Sequence, residues 1–374
     1  MSSAPLSLLA LTSAELETEA RARVGAGAGA WRAVYREALL EGRFAPGGHG
    51  LSAGAVERWT ENFDLKLLTL AKEVLEPSAH PVDVRETVKV ALRTEDGLEI
   101  ECVHIPMSKG RFTLCVSSQV GCRIGCRFCE TAKIGLVRNL RADEIVAQVV
   151  VARAVLGWRV DNIVFMGMGE PLDNAENVAR ALRVLTDPCG LAYGQPKITV
   201  CTSGVPEGLE TLGRLGFRRM GLSFSLNAAL DEKRDRLMPI NRRHPLAEVQ
   251  AALRAQPKRK GFVLAVNYCL LPGFNDETED LDAVAAFVAP LGRVLVNVIP
   301  YNPGSKPLTR PPTEDEVSGF IAGLEERGVA VRRRITKGRS VMAACGQLGN
   351  LELRLERRAR AAAGRLPVVE SALD

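Results

Sequence analysis

Val120-Gly-Cys-Arg-Ile-Gly-Cys-Arg-Phe-Cys129 places Cys122, Cys126 and Cys129 in a C-x3-C-x2-C triplet. That spacing supplies three thiolates to one iron–sulfur cube and no fourth, which leaves one iron open. An open iron can chelate the amino nitrogen and carboxylate oxygen of S-adenosylmethionine (SAM). One electron from the cluster can then cleave the sulfonium and release a carbon radical, chemistry that no side chain supplies. A structural zinc site would need a fourth ligand. None of the four histidines, His49, His80, His104 and His244, lies in the triplet or just after it. An electron-transfer ferredoxin would also want a fourth cysteine, and the nearest is Cys115, seven residues upstream. The open cluster is the favoured reading.

The 374 residues can bury a large core, and the composition, 46% hydrophobic and 25% charged, is that of a soluble globular protein. The chain has no run of 18 apolar residues, so no membrane span is expected. The first residues lack the basic flank of a secretory signal and lead into acidic helical sequence. Nine cysteines in such a chain point to metal or redox chemistry in a reducing compartment, not to a disulfide scaffold. The expected address is the cytoplasm. Net charge is +5, but Val331–Leu366 alone carries ten Lys/Arg against Glu352 and Glu356. Such a face could neutralise phosphates and bind RNA in a salt-sensitive way, or be a solvated helix surface. Both readings stay open on charge alone.

Around the triplet the chain divides into four parts: a helical accessory domain (1–76), a β linker (77–108), a barrel (109–349) and a basic tail (350–374). In the first, Thr12-Ser-Ala-Glu15 fits a capping box, Trp31 to Leu39 has helical spacing, and Ala53 to Leu75 reads as helix again. In the second, Val88–Arg93 and Leu98–Val103 alternate about the turn Glu95-Asp-Gly97. In the third, six candidate strands (Phe112–Val116, Asn162–Phe165, Ile198–Cys201, Gly221–Ser225, Val263–Cys269, Val294–Ile299) alternate with helical stretches. The expected fold is therefore α/β, an open, incomplete (β/α)6 barrel, with working residues beyond the C-terminal strand ends. The tail Asn350–Ala363 reads as a short Arg-rich helix.

The polar motifs fall at those ends. Gly167-Met-Gly-Glu170 follows the second strand, where glycines allow close backbone approach to a ligand and a carboxylate suits the amino group of SAM. Ser225, Asn227 and Asn302 suit its ribose and carboxylate. Cys102, Cys189, Cys201 and Cys269 read as small packing residues, and Met166, Met168 and Met238 likewise.

Taken together, Leu114-Cys-Val-Ser-Ser-Gln-Val-Gly-Cys122, the triplet, Arg138-Asn-Leu140, Gly167-Met-Gly-Glu-Pro-Leu172, Leu237-Met-Pro-Ile-Asn241, Ile299-Pro-Tyr-Asn302 and Ala343-Ala-Cys-Gly-Gln-Leu348 resemble the radical-SAM adenosine methyltransferases RlmN and Cfr, over roughly residues 85 to 350. The resemblance implies a radical-SAM barrel, a [4Fe-4S] cluster on Cys122, Cys126 and Cys129, and two SAM molecules per turnover. It implies SAM contacts at Gly169, Glu170, Cys201, Ser203, Ser225, Leu226, Asn227 and Asn302. It further implies that Cys345 accepts a methyl group from one SAM and that a second SAM yields the radical that activates it. The carbon then adds to adenine, and Cys115 forms a disulfide with Cys345 to release product, with Glu101 as proton acceptor. The implied substrate is a ring carbon of an RNA adenosine, carbon 2 in 23S rRNA and also in tRNA. The implied partners are RNA and an electron donor such as flavodoxin, with no membrane and a monomeric enzyme.

Three departures from the family pattern stand out. Asn227 replaces a histidine in Ser225-Leu-Asn-Ala228, Cys201 replaces a serine, and Gly338-Arg-Ser-Val341 replaces an acidic Gly-Asp-Asp-Ile, making the Cys345 loop more basic. The competing readings are the same chemistry at carbon 8 or on a non-RNA substrate, and a passive iron–sulfur protein. Reductive SAM cleavage separates the last from the others.

Overall fold

A single sheet of ten strands carries the molecule, and its two halves run differently. The computed structural model describes residues 4–76, 85–257, 260–335 and 337–349. Four strands, β1 (Thr69–Glu76), β2 (Thr87–Arg93), β3 (Glu99–Met107) and β4 (Arg111–Cys115), form an antiparallel meander. From β4 onward the sheet is parallel: β5 (Asn162–Phe165), β6 (Ile198–Thr202), β7 (Gly221–Ser225), β8 (Leu264–Leu270), β9 (Val294–Pro300) and β10 (Val331–Arg333) follow in sequence order. Among the described residues β1 and β10 are the edges of the sheet and do not pair with each other, so the barrel is open. The α/β fold and the six expected parallel strands are all present, each within a residue or two of its expected limits. The count rises to seven because Val331–Arg333, basic and not among the six candidate strands, pairs with Val296–Val298.

Helices cover the sheet. Before it lie α1 (Ser13–Arg23), α2 (Trp31–Arg36) and α3 (Ala53–Asn62); α4 (Glu130–Ile134) follows the triplet. Crossovers are made by α5 (Ala142–Val150), α6 (Ala175–Thr186), α7 (Pro206–Arg214), α8 (Asp231–Leu237), α9 (Leu246–Ala255), α10 (Thr278–Val288) and α11 (Glu314–Glu326). The capping box that starts α1 is formed: Thr12 N–H donates to Glu15 Oε2 at 2.8 Å and Glu15 N–H to Thr12 Oγ1 at 3.4 Å. Leu16, Tyr35, Leu39 and Trp59 share one hydrophobic core with Leu182 and Leu185 of α6. The N-terminal helices therefore pack into the barrel's own core. No helix among the described residues is long and apolar enough to cross a membrane.

Two expectations need correcting. The helix expected from Ala53 to Leu75 ends at Asn62; Phe63–Asp64 pairs with Leu6–Ser7, and Thr69–Glu76 is the edge strand β1. Pairing with β2 overrides a local sequence, Ala-Lys-Glu, that favours helix. The segment read as a β linker is no spacer either. Strand β3 pairs directly with β4, Val103 opposite Cys115, so the meander continues the barrel sheet. The basic helix expected at Asn350–Ala363 lies outside the described residues.

Asn174, at the start of α6, fixes the approach to the triplet. Its buried amide donates to Ser118 O at 2.8 Å and to Leu140 O at 2.7 Å. Ser118 O also receives Leu140 N–H, so an Asn174→Ala change orphans chiefly the Leu140 carbonyl. The expected cost is about 1–3 kcal/mol, read as a lower urea midpoint. An unchanged midpoint would show that this carbonyl has another donor.

Candidate active site

Strand β4 delivers Cys115 and runs on through a buried stretch, Val116–Val120, into the triplet. Gly121 is required here: φ is +76°, and a Cβ would stand 1.8 Å from Gly135 O. Cys122 N–H donates to Gly135 O at 3.1 Å and Cys129 N–H to Cys126 O at 3.1 Å, which curls the loop. Arg127 N–H reaches Leu237 O at 3.0 Å, docking the loop on the end of α8. All three triplet cysteines line one open cavity at the C-terminal ends of the parallel strands. Among the described residues no three Cys, His, Asp or Glu converge on a point fit for a single metal ion. Three thiols around one open cavity suit a multi-iron cluster, which spreads its thiolate ligands over several irons. Burial, first, and mutual proximity push Cys122 and Cys126 above the ordinary thiol range; burial does the same to Cys129. A cluster would take all three as thiolates.

The floor of the cavity comes from β5, β6 and β7. Gly167 and Gly169 make the turn after β5, but the close approach they permit is to the chain itself. A Cβ at Gly167 would lie 2.6 Å from Val116 O, and one at Gly169, where φ is +100°, 2.5 Å from the Gln119 side chain. The glycines thus press the turn against the triplet's own approach, with Ser118 N–H donating to Met168 O at 2.8 Å. Glu170 is buried in the cavity wall, and its carboxylate accepts Ser203 N–H and Ser203 Oγ at 2.8 Å and Leu172 N–H at 3.0 Å. Burial raises its pKa, and these donors offset that only in part.

The remaining expected SAM contacts divide. Gly169, Cys201, Ser203, Ser225, Asn227 and Asn302 all line the cavity with Glu170. Leu226 does not; its side chain is fully buried away from it. Asn227 sits at φ +56°, and its amide is already used, accepting Cys269 N–H at 2.9 Å and donating to Met238 Sδ at 3.2 Å. Cys201 Sγ lies 3.4 Å from both Ser225 Oγ and Asn267 Nδ2. Cys269 and Met166, read as packing residues, also line the cavity.

Cys345 faces this cavity from the loop after β10, and it is exposed. Cys115 lies behind it, buried; burial and then Cys345 push its thiol up to about 12. The fold has therefore brought together two cysteines that stand 230 positions apart. All nine cysteines are free thiols, so the disulfide expected from the resemblance is not formed here. Glu101 is outside the cavity lining. It pairs with Lys89 at 3.0 Å and accepts Gly349 N–H at 2.7 Å, which ties down the Cys345 loop. Glu76 does the same from β1, accepting Gly338 N–H, and Ser340 N–H and Oγ at 2.8 Å.

The arginines of β10 do not form one outward basic face. Arg333 pairs with Glu314, and Arg332 Nε donates to Asn297 Oδ1 at 2.7 Å. Arg334 turns into the cavity, its guanidinium 3.4 Å from Met166 Sδ. Two further residues escaped sequence reading: Glu130, which joins three loops, and Arg234, a buried cation on α8. Neither sits in a motif that spacing would single out.

A profile of the Radical SAM superfamily matches residues 116–285. The chain is 44% identical over 269 residues to a probable dual-specificity RNA methyltransferase RlmN 1 of Protochlamydia amoebophila, covering 72% of this chain and 75% of that one. It is 40% identical over 329 residues to the dual-specificity RNA methyltransferase RlmN of Syntrophotalea carbinolica, covering 83% and 87%. A crystal structure of a radical SAM methyltransferase from Sphaerobacter thermophilus superposes with a TM-score of 0.81 at 36% identity, covering 92% of this chain and 99% of that one. Sequence and fold agree over nearly the whole length, and the chain belongs to the RlmN family of radical SAM methyltransferases.

Proposed function

We propose that this enzyme methylates a ring carbon of an RNA adenosine, carbon 2 in 23S rRNA and in tRNA, with Cys345 as methyl carrier and two SAM molecules per turnover. One observation carries the reading: Cys345, the exposed cysteine among nine, lines the same cavity as the three triplet thiols. A passive iron–sulfur protein has no use for an exposed thiol there. The names of the relatives, dual-specificity RNA methyltransferases, support RNA as the substrate. A one-electron donor such as flavodoxin, in the cytoplasm, completes the proposal.

When bound on Cys122, Cys126 and Cys129, a [4Fe-4S] cluster supplies the electron that cleaves the SAM sulfonium. The chain's own residues do the rest. Glu170 offers a preoriented carboxylate whose donors are neutral, so an ammonium group is the partner it lacks. Asn302 lines the cavity beside the triplet, where its amide suits the carboxylate or ribose of SAM. Cys345, having lost its thiol proton to solvent, attacks the methyl carbon of SAM; the sulfonium S–CH3 bond breaks, S-adenosylhomocysteine leaves with the electron pair, and the methyl group stays on Cys345 as a thioether. After the carbon has joined the base, Cys115 sulfur attacks Cys345 sulfur. The S–S bond forms as the S–C bond breaks, and the electron pair goes to the product carbon. Glu101 is the proposed proton acceptor, and in that role it gives up the Gly349 N–H it now holds.

Mapping modified nucleosides by mass spectrometry, in RNA from cells with and without the gene, tests the substrate. A missing 2-methyladenosine is the expected result; a missing 8-methyladenosine would replace carbon 2 by carbon 8.

Cys126→Ala should lose the four-iron cluster and all reductive SAM cleavage, because two thiolates cannot hold the cube. A reconstituted variant that cleaves SAM at the wild-type rate would remove the cluster assignment.

Glu170→Gln keeps the shape but exchanges a charge-assisted contact for a neutral one, so SAM affinity should fall about tenfold, for a difference of about 1.4 kcal/mol. Equal affinity by calorimetry would place the ammonium elsewhere.

Cys115→Ala should accumulate protein cross-linked to RNA through Cys345, and the double variant with Cys345→Ala should show none. Normal turnover by Cys115→Ala would contradict the two-cysteine release.

A further inference from the structure

Arg234 is fully buried on α8, and every protein group that it bonds is neutral. Its Nε donates to Leu226 O at 3.0 Å, Nη1 to Asn241 Oδ1 at 3.0 Å, and Nη2 to Ser203 O at 2.7 Å and Ser225 O at 3.1 Å. Its ring contact, Phe224 at 5.4 Å, is also uncharged. Among the described residues no carboxylate lies within ion-pair distance of it. Acidic groups stand further off: Asn241 Nδ2 donates to Asp231 Oδ1 at 2.8 Å and to Asp235 Oδ1 at 2.7 Å, both aspartates reach solvent, and Glu170 in the cavity wall also acts on the guanidinium through space. A buried charge without a direct partner is costly, so the fold must gain from its presence.

The position says where the gain lies. Ser203 and Ser225, whose carbonyls Arg234 holds, line the cavity. The other end of α8 receives Arg127 N–H of the triplet loop at Leu237 O, and Pro239, just beyond, packs on Gly125 between Cys122 and Cys126. Among the thiols, Cys126 is the one that feels this cation. Burial lowers the guanidinium to about 10, which leaves it charged at neutral pH.

We propose that Arg234 is the fixed counter-charge of the iron–sulfur cluster and raises its reduction potential, acting as a positioning and tuning residue that touches neither SAM nor RNA. The inference rests on the cluster reading of the triplet. Three thiolates around a doubly positive core leave one net negative charge, and the electron from an external one-electron donor makes it two. A cation fixed on the carbonyls of Ser203 and Ser225, which line the same cavity as Cys126, favours the reduced form, because net charge is among the factors that set such potentials.

The test is a potentiometric titration of reconstituted protein followed by electron paramagnetic resonance, with iron and sulfide counted beforehand. Arg234→Gln should lower the reduction equilibrium about tenfold, 59 mV for a one-electron couple. Arg234→Lys should restore most of the potential while losing thermal stability, because lysine keeps the charge but not the fork of hydrogen bonds. Asp235→Asn leaves Arg234 in place and removes an opposing charge, so it should move the midpoint the other way by a smaller amount. If Arg234→Gln fails to load a cluster, the sign of the Asp235→Asn shift decides. Loaded clusters with the wild-type midpoint in Asp235→Asn, or equal shifts in the Gln and Lys variants, would overturn the proposal and leave Arg234 a strand-end brace. A wild-type protein that takes up no four-iron cluster would overturn the cluster reading and this inference with it.

Discussion

Glu130 is buried beside the cavity, and the site depends on where its hydrogen bonds go. Burial alone would raise its pKa, but Lys133 and Ser305 outweigh that and hold the carboxyl below the usual range. The carboxylate accepts Ser305 N–H at 2.8 Å and Ser305 Oγ at 2.7 Å, and the Glu130 backbone N–H donates to Gly346 O at 2.8 Å. Glu130 directly follows Cys129, so one residue fixes the last triplet thiol, the loop after β9 and the loop of Cys345 to one another. Gly304 allows it: a Cβ there would stand 2.0 Å from Glu130 Oε1. Thr131 Oγ1 to Leu348 O at 2.6 Å and Gln347 Nε2 to Pro303 O at 2.9 Å repeat the tie. A closed barrel would hold its strand ends by closure; this one is open, and side chains must do it.

The antiparallel half of the sheet has the complementary task. The loop after β10 leaves a short strand that is the sheet's edge among the described residues. It is caught from across the opening by Glu76 on β1, Lys89 on β2, which donates to Met342 O at 3.2 Å, and Glu101 on β3. Lys337 adds a bond to Pro106 O at 2.8 Å. The meander is thus a platform for the Cys345 loop. Its alternating sequence, read as a linker, gave the strands correctly but not their use.

That contrast describes what the chain reveals before it folds. Strands β4 to β9 were legible because each is a short apolar run ended by Gly, Pro or a polar turn, and the crossover helices were legible from their spacing. The triplet, Glu170 and Asn302 were legible because strand-end position and residue type coincide. Helix α11 went unread although Thr313-Glu-Asp-Glu316 forms a capping box of the same kind as at Thr12. Strand β1 was misread because only β2 makes it a strand. The glycines of Gly167-Met-Gly169 were placed correctly and explained wrongly: space for a ligand was expected, and the space is filled by Val116 and Gln119. Contacts that cross the fold, such as Glu101 with Gly349, leave no local trace in sequence.

Charge is the least legible layer, because its meaning depends on what it faces. Arg332, Arg333 and Arg334 are consecutive in sequence and share no environment: one meets an amide, one a carboxylate and one the cavity. Arg234 lies in Asp231-Glu-Lys-Arg-Asp-Arg-Leu237, which reads as an exposed helix face, yet it is fully buried while Arg236 is exposed. Helical spacing explains the split, since residues two apart point to different sides. Chemistry explains the choice of arginine. Holding three strand-end carbonyls and an amide oxygen takes donors spread over a rigid plane, which a lysine with three donors on one atom cannot supply. The same side chain thus braces the ends of β6 and β7 and, in the role proposed for it, sets a positive charge behind the triplet's cavity: one rigid group meets both demands because its charge and its hydrogen-bond donors lie in the same plane.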